Sequence, residues 1–231
     1  MSNDRVNNGI QISGDGKFRA ENVQTGGQNQ LTVHKETLHQ EHKQGKEQQI
    51  NILLICANPW NSQRLRLANE ERAIREAINE SPHRERIQLT VCPAATVEDL
   101  RKALLRTDFQ IVHISGHGGT RGLLLEGEKR ENGGHRVSPE ELTTMLQPYY
   151  KNLQCLILNA CTSESSMVTG IPYVIAMEDT LSDDAAIAFS RGFYDTIGSG
   201  RAIDFAYEEG QRLVQKNTPG LPFPIVLHTS H

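Results

Sequence analysis

The sequence has few cysteines, no long apolar run and no excess of one charge. Its four cysteines lack Cys-x-x-Cys spacing, which argues against a zinc site or a disulfide framework. No stretch approaches the roughly 18 apolar residues of a membrane-spanning helix. The polar start, MSNDRVNNGIQ, lacks the basic and apolar blocks of a secretory signal. We therefore expect a cytoplasmic protein with no metal centre and no membrane partner.

The charges are mixed, with 24 Lys and Arg against 28 Asp and Glu and a formal net charge of -4. No basic stripe indicates a nucleic-acid partner, and no acidic tract indicates a solvating tail. Hydrophobic residues make up 37% of the 231 residues, enough to bury a core. Function must therefore be inferred from individual sites, and no cofactor is expected.

The amino-terminal part differs in composition from the rest. Residues 1–33 are rich in Gly, Asn and Gln, with short alternating apolar positions and no helical period. Amide-rich strands of this kind can stack on further copies or on a partner, although a disordered tail is the alternative. Residues 34–49 are almost wholly polar and are predicted to be a linker or an exposed helix. The domain proper is predicted to span residues 50–231.

From residue 50 onward, apolar runs alternate with helical patterns. The runs are predicted strands at 50–59, 87–93, 109–115, 153–160, 171–177 and 222–228. Thr96 and Asp99 predict a capping box at one helix start, and Ser182 predicts the cap of a helix that ends at Gly198. Residues 120–137 read as an inserted hairpin. The pattern predicts an α/β fold, a mostly parallel sheet covered by helices on both faces.

Two histidines lie four residues apart in VHISGHGG, residues 112–119. His113 lies inside the apolar run and is predicted to be a packed core residue. His117 follows the same strand among glycines, at the carboxyl end where α/β sheets gather functional groups. The alternative for His117 is an exposed loop residue.

Two cysteines repeat this placement on the next strand. Cys155 lies within the apolar run, whereas Cys161 follows at its carboxyl end. If the two strands are neighbours, His117 and Cys161 meet at one edge of the sheet. An imidazole there can take the thiol proton and return it to a leaving amine. Backbone N–H groups of Gly118 and Cys161 could then hold the oxyanion.

Several segments resemble the CHAT family of caspase-like cysteine peptidases, which are related to caspases and separases. They are VHISGHGG, GLLLEG, VSPEEL, LILNACTSE, the stretch 171–200 and AIDFAYEEG, preceded by RLRLANEERAIREAI. The resemblance implies a caspase-like three-layer α/β/α fold, with His117 as general base and Cys161 as nucleophile. The chain departs from the pattern at 162–170, where a fuller crossover helix is expected.

In related peptidases, the residues after the fifth strand line the pocket for the substrate side chain before the scissile bond. In this chain the corresponding stretch is MEDTLSDDAA. Asp183 could pair there with Arg or Lys, which predicts cleavage after basic residues. Helix capping and compensation of the helix dipole explain Asp183 and Asp184 equally well.

The sequence therefore predicts a cysteine endopeptidase that cuts protein substrates in a prokaryotic defence or stress pathway. An activating partner, or self-assembly through residues 1–33, is expected to switch it on. The alternatives are a non-enzymatic scaffold that keeps the fold and a flavodoxin-like nucleotide-binding domain. The second fits poorly because GHGG is a weak phosphate loop.

Overall fold

The structure is a computed structural model of the whole chain. It describes residues 49–59, 62, 65–119, 122–129, 133–161, 168–177, 182–217, 219 and 225–229, without the side chain of Cys161. The chain divides into two units, Met1–Lys43 and Gln44–His231, and the described residues lie in the second. The predicted interaction segment 1–33 lies outside the described residues, as does the predicted linker 34–49 except for residue 49.

Within the described residues, six strands form the main sheet: β1 Ile50–Cys56, β2 Ile87–Cys92, β3 Ile111–Ser115, β7 Cys155–Cys161, β8 Tyr173–Met177 and β9 Ile225–Thr229. Their order across the sheet is β2-β1-β3-β7-β8-β9. All neighbouring pairs are parallel except β8 with β9. The predicted mostly parallel sheet is confirmed, and each of its strands overlaps one of the six predicted runs.

The inserted segment forms a small antiparallel sheet of β4 His117–Gly119, β5 Gly122–Glu126 and β6 Gly134–Val137. The predicted hairpin corresponds to β5 and β6, and β4 adds a third strand beside them. Its inward side chains are apolar and buried, among them Leu123, Leu125 and Val137. Because side chains alternate across a strand, His117, Leu124 and Arg136, which are cross-strand neighbours, share the opposite face.

In the described part of the chain, five α-helices complete the layers: α1 Leu67–Glu80, α2 Val97–Arg106, α3 Pro139–Leu146, α4 Asp183–Gly198 and α5 Ile203–Asn217. Helices α1, α4 and α5 pack on one face of the main sheet, and α2 and α3 pack on the other. The residues of β1 alternate between these two cores, with Ile52 and Leu54 on one side and Leu53 and Ile55 on the other. The predicted three-layer α/β/α arrangement is therefore confirmed.

Local sequence explains where the helices begin. Thr96 and Asp99 form the predicted capping box at α2, and Ser182 accepts a hydrogen bond from the N–H of Ala185 at the start of α4. A further capping box, Ser138 with Glu141, starts α3. Because α4 follows the carboxyl end of β8, its first turn lies at the carboxyl edge of the sheet.

Candidate active site

The carboxyl ends of β3 and β7 lie side by side in parallel register. Ser115 pairs with Asn159, and the N–H of Gly116 donates to the carbonyl of Asn159 at 3.2 Å. His117 follows Ser115 by two residues, and Cys161 follows Asn159 by two. The predicted pairing of these strands is confirmed, and it brings both positions to one edge of the sheet.

Cys161 is the last residue of β7, and its backbone pairs with Met177 of β8. The register between β7 and β8 shifts between Leu158 and Cys161. Such an irregularity bends a strand and redirects the residues beside it. The side chain of Cys161 lies outside the described part of the chain, so its role as nucleophile stays a prediction.

His117 opens β4 and is partly exposed. Its Nε2 lies 3.2 Å from Oδ1 of Asn58, the second residue after β1. The N–H of Asn58 in turn donates to Oε1 of Glu126 at 2.8 Å. Asn58 and Glu126 are not among the site residues predicted from the sequence, although Asn58 also lies at the carboxyl end of a strand, where α/β sheets gather functional groups.

Gly118, the predicted oxyanion donor, lies within β4 opposite Leu123. The backbone before it is tightly packed, because a Cβ on Gly116 would come within 2.8 Å of the carbonyl oxygen of Ala57. Glycine at 116 therefore lets β1 and β3 run close together just before His117. The donation by Gly118 and Cys161 to an oxyanion stays a prediction.

His113 is fully buried, with no exposed surface. Its Nδ1 lies 3.0 Å from the hydroxyl of Tyr194, and the two rings stack at 12° with centroids 5.8 Å apart. Burial raises the pKa of Tyr194 well above its ordinary value, so that hydroxyl stays protonated. The prediction that His113 is a packed core residue is confirmed.

A buried carboxylate, Glu70 of α1, lies beneath the candidate site and is only 3% exposed. Its Oε1 accepts hydrogen bonds from Nδ2 of Asn159 at 2.5 Å and Oγ of Ser190 at 2.7 Å. Nε2 of His113 lies 3.3 Å from the same oxygen. Burial by itself raises the pKa of Glu70, but the His113 imidazole and the Ser190 hydroxyl outweigh it and hold the pKa below its ordinary value.

This carboxylate ties the strand end before Cys161 to α1 and α4. Glu70 is not among the site residues predicted from the sequence, yet it lies four residues before Ile74, on the buried stripe of α1. A charged residue on such a stripe is the signal that could have found it, because buried charges require partners.

The thiols that the structure describes are poorly suited to chemistry. Cys155 is fully buried, and burial raises its pKa strongly, as predicted for an inert packing residue. Burial also raises the pKa of Cys56 to about 12 and raises that of Cys92. Since the thiolate is the reactive form, none of these three is a ready nucleophile.

Asp183 is the first residue of α4. Its Oδ2 accepts a hydrogen bond from the backbone N–H of Arg66 at 2.9 Å, and Asp184 pairs with the Arg66 guanidinium at 2.5 Å. Both acids therefore link the starts of α1 and α4, and Asp183's place in a substrate pocket stays a prediction. Glu178 and Asp179 lie outside the described residues.

Neither a metal site nor a membrane span is found within the described ranges. No group of three His, Cys, Asp or Glu side chains there could hold a metal ion. None of the described helices has the length and apolar character needed to cross a bilayer.

The chain is similar in sequence to the proteins of one known family. The CHAT domain model matches residues 13–221, so the match also reaches into the predicted amino-terminal segment. A Roc-COR-CHAT protease from an unknown prokaryotic organism is 21% identical over 193 residues, which is 78% of this chain and 18% of that protein. A probable protease of Gillisia limnaea is 21% identical over 161 residues, 68% of this chain and 28% of that protein.

The chain thus spans less than a third of the length of these curated relatives. Among solved structures, a secreted C11 cysteine protease from Bacteroides thetaiotaomicron, in complex with an irreversible peptide inhibitor, matches with a TM-score of 0.53 at 12% identity. That match covers 75% of this chain and 62% of the other, and it shows a shared fold. With the family model matched over most of its length, this chain belongs to the CHAT-domain family.

Proposed function

We propose that this chain is a cysteine endopeptidase in which His117 and Cys161 form a catalytic dyad. The observation that carries the proposal is the adjacent ending of β3 and β7, which brings these two residues to one edge of the sheet. The names of the curated relatives, a CHAT protease and a probable protease, support the same class of reaction.

In the proposed reaction, His117 takes the proton from the Cys161 thiol, and the thiolate attacks the carbonyl carbon of the scissile peptide bond. The oxyanion accepts hydrogen bonds from the N–H groups of Gly118 and Cys161. As the C–N bond breaks, the His117 imidazolium gives its proton to the leaving amine, and a thioester remains on Cys161. His117 then deprotonates a water molecule, which hydrolyses the thioester and releases the acid product and the thiol.

We propose that the enzyme prefers substrates with Arg or Lys before the scissile bond, and that the Asp183 carboxylate binds this cationic side chain. The position of Asp183 at the carboxyl edge of the sheet supports this assignment. Its Oδ2 accepts a hydrogen bond from the N–H of Arg66, and because a carboxylate offers about four acceptor sites, a substrate cation can still bind it. Profiling a peptide library with wild type and Asp183→Asn tests the idea, and a preference for acidic or small apolar residues would contradict it.

We further propose that residues 1–33 bring copies together or recruit an activating partner, and that the peptidase acts in a prokaryotic defence or stress pathway. Raising local concentration turns an encounter into an intramolecular step. Deleting 1–33 should lower activity without lowering the melting temperature of the remainder. An unrelated inducible dimerising domain in place of residues 1–33 should restore activity. Full activity of the truncated chain without such a domain would show that residues 1–33 have no role in activation.

The dyad is tested with the full chain fused to that dimerising domain and incubated with a proteome-derived peptide library. Mass spectrometry should find new termini with wild type and Cys155→Ala, and none with Cys161→Ala or His117→Ala. Absence of cleavage by every variant, including wild type, would instead favour a non-enzymatic scaffold with the same fold. Circular dichroism of each variant checks that the fold is retained.

A further inference from the structure

The loop after β1 places an amide side chain against the candidate general base. The N–H of Ala57 donates to the carbonyl of Ser115 at 3.0 Å, so the end of β1 runs beside the end of β3. Asn58 comes next, and its Oδ1 lies 3.2 Å from Nε2 of His117. The contact joins residues 59 positions apart in the chain, on two neighbouring strand ends.

The contact is compatible with one tautomer of the neutral His117 ring. An amide oxygen can only accept a hydrogen bond, so the contact is a hydrogen bond only when Nε2 of His117 carries the hydrogen. In the neutral imidazole the other nitrogen, Nδ1, then holds the lone pair and is the base. When the ring becomes an imidazolium, the Nε2–H bond to Oδ1 strengthens, because hydrogen bonds from charged donors are stronger.

Asn58 is itself held in place from another part of the fold. Its N–H donates to Oε1 of Glu126 at 2.8 Å, and the Ser62 hydroxyl lies 3.3 Å from Oδ1. Glu126 is the last residue of β5, and its own N–H donates to the carbonyl of Ala95 at 2.9 Å. Glu126 belongs to the same small sheet as His117. It thus holds Asn58, the residue that contacts His117.

We propose that Asn58 is the positioning residue that fixes the Nε2–H tautomer and the ring orientation of His117, and that Glu126 holds Asn58 for this role. The kinetic part of this inference rests on the proposed peptidase function. The tautomer part does not, and it can be measured without turnover.

Kinetics of Asn58 variants test the proposal in the dimeriser-fused full chain. Asn58→Ala should lower kcat about 10- to 100-fold with little change in KM, the range for one hydrogen bond to a charged group. Asn58→Asp should keep most of kcat and move the acid limb of the kcat/KM pH profile to higher pH, because a negative acceptor favours the imidazolium. A purely structural role would leave that limb in place.

Asn51→Ala is the matched control. Asn51 lies at the opposite end of β1, where its Nδ2 donates to the carbonyl of Asp108 at 3.0 Å. That variant loses a side-chain hydrogen bond from the same strand, far from His117, and its kcat and pH profile should match wild type. If Asn51→Ala lowers kcat as much as Asn58→Ala, loosening of β1 explains both and the proposal fails.

Glu126 variants separate the hydrogen bond from the charge. Glu126→Gln keeps an acceptor for the N–H of Asn58 and should retain most of the activity, whereas Glu126→Ala should lower kcat as Asn58→Ala does. In the double variant Glu126→Ala/Asn58→Ala the losses should not multiply, because both act through one contact. Multiplying losses would show that Glu126 acts independently of Asn58.

Nuclear magnetic resonance of the ¹⁵N-labelled Cys161→Ala chain reads the tautomer directly, with His117→Ala used to assign the signal. At a pH where the ring is neutral, Nε2 should be protonated and Nδ1 unprotonated, and adding Asn58→Ala should produce a mixture of tautomers. A protonated Nδ1, or the same tautomer with and without Asn58, overturns the proposal. If wild type cleaves nothing, the peptidase function fails while this measurement still decides the role of Asn58.

Discussion

Removing the buried Glu70 carboxylate should strongly destabilise the domain. Glu70→Ala leaves the Asn159 amide and the Ser190 hydroxyl without their acceptor and removes the carboxylate oxygen that lies 3.3 Å from Nε2 of His113. Each polar group orphaned in a buried place costs about 1–3 kcal/mol. With two hydrogen-bond donors orphaned we expect a loss of about 2–6 kcal/mol, which is large because whole domains are stable by about 5–15 kcal/mol.

Glu70→Gln keeps one acceptor oxygen and should lose less, about 1–3 kcal/mol at pH 7. The folded state holds the pKa of Glu70 below its ordinary value, so the carboxylate stabilises the fold above that ordinary value, about 4.3. Its contribution is lost as the pH falls from there through the lower, folded-state pKa. The stability difference between wild type and Glu70→Gln should therefore shrink as the pH drops below about 4.3.

Urea unfolding followed by circular dichroism, repeated from pH 7 to pH 3, measures these differences. Glu76→Ala is the matched control, because Glu76 lies on the same helix with its side chain 48% exposed and its nearest cations 3.8 Å away. Such surface pairs contribute about 0–1 kcal/mol. A stabilising role for the buried Glu70 carboxylate is refuted if Glu70→Ala costs no more than Glu76→Ala, or if the Glu70→Gln difference does not change with pH.

The remaining predictions concern the thiols and the packing of α4. A thiol-directed electrophile at neutral pH should label Cys161 and spare Cys155, whose pKa burial raises; mass spectrometry showing faster labelling of Cys155 would contradict this. Gly192→Ala should cost about 1–3 kcal/mol, because its Cβ would lie 2.9 Å from the Glu209 carbonyl oxygen; an unchanged melting temperature would be the contrary result. Ser182→Ala should cost about 1 kcal/mol by removing the cap of α4, and Ser182→Asp should recover it in the same thermal melt.

The sequence predicted the layers and the strand ends with considerable success, because those features are local. Apolar runs, capping residues and glycines act on their neighbours in the chain, so Thr96, Ser182 and the end of α4 at Gly198 could be recognised directly. The division between His113 inside β3 and His117 just beyond it followed from where the apolar run ends and the glycines begin. The catalytic roles of His117 and Cys161 remain predictions, although their strands are neighbours as expected.

The tertiary structure decided the rest, because it depends on which distant segments meet. Residue spacing gave no indication that β9 runs antiparallel to β8, since its apolar run suits either direction. The position of Glu70 on the buried stripe of α1 could indicate a buried charge, but only the folded chain shows its partners, Asn159 and Ser190, which are 89 and 120 positions away. Asn58 contacts His117 only because β1 and β3 are paired, and that pairing is set by the burial of both sheet faces rather than by any pattern around Asn58.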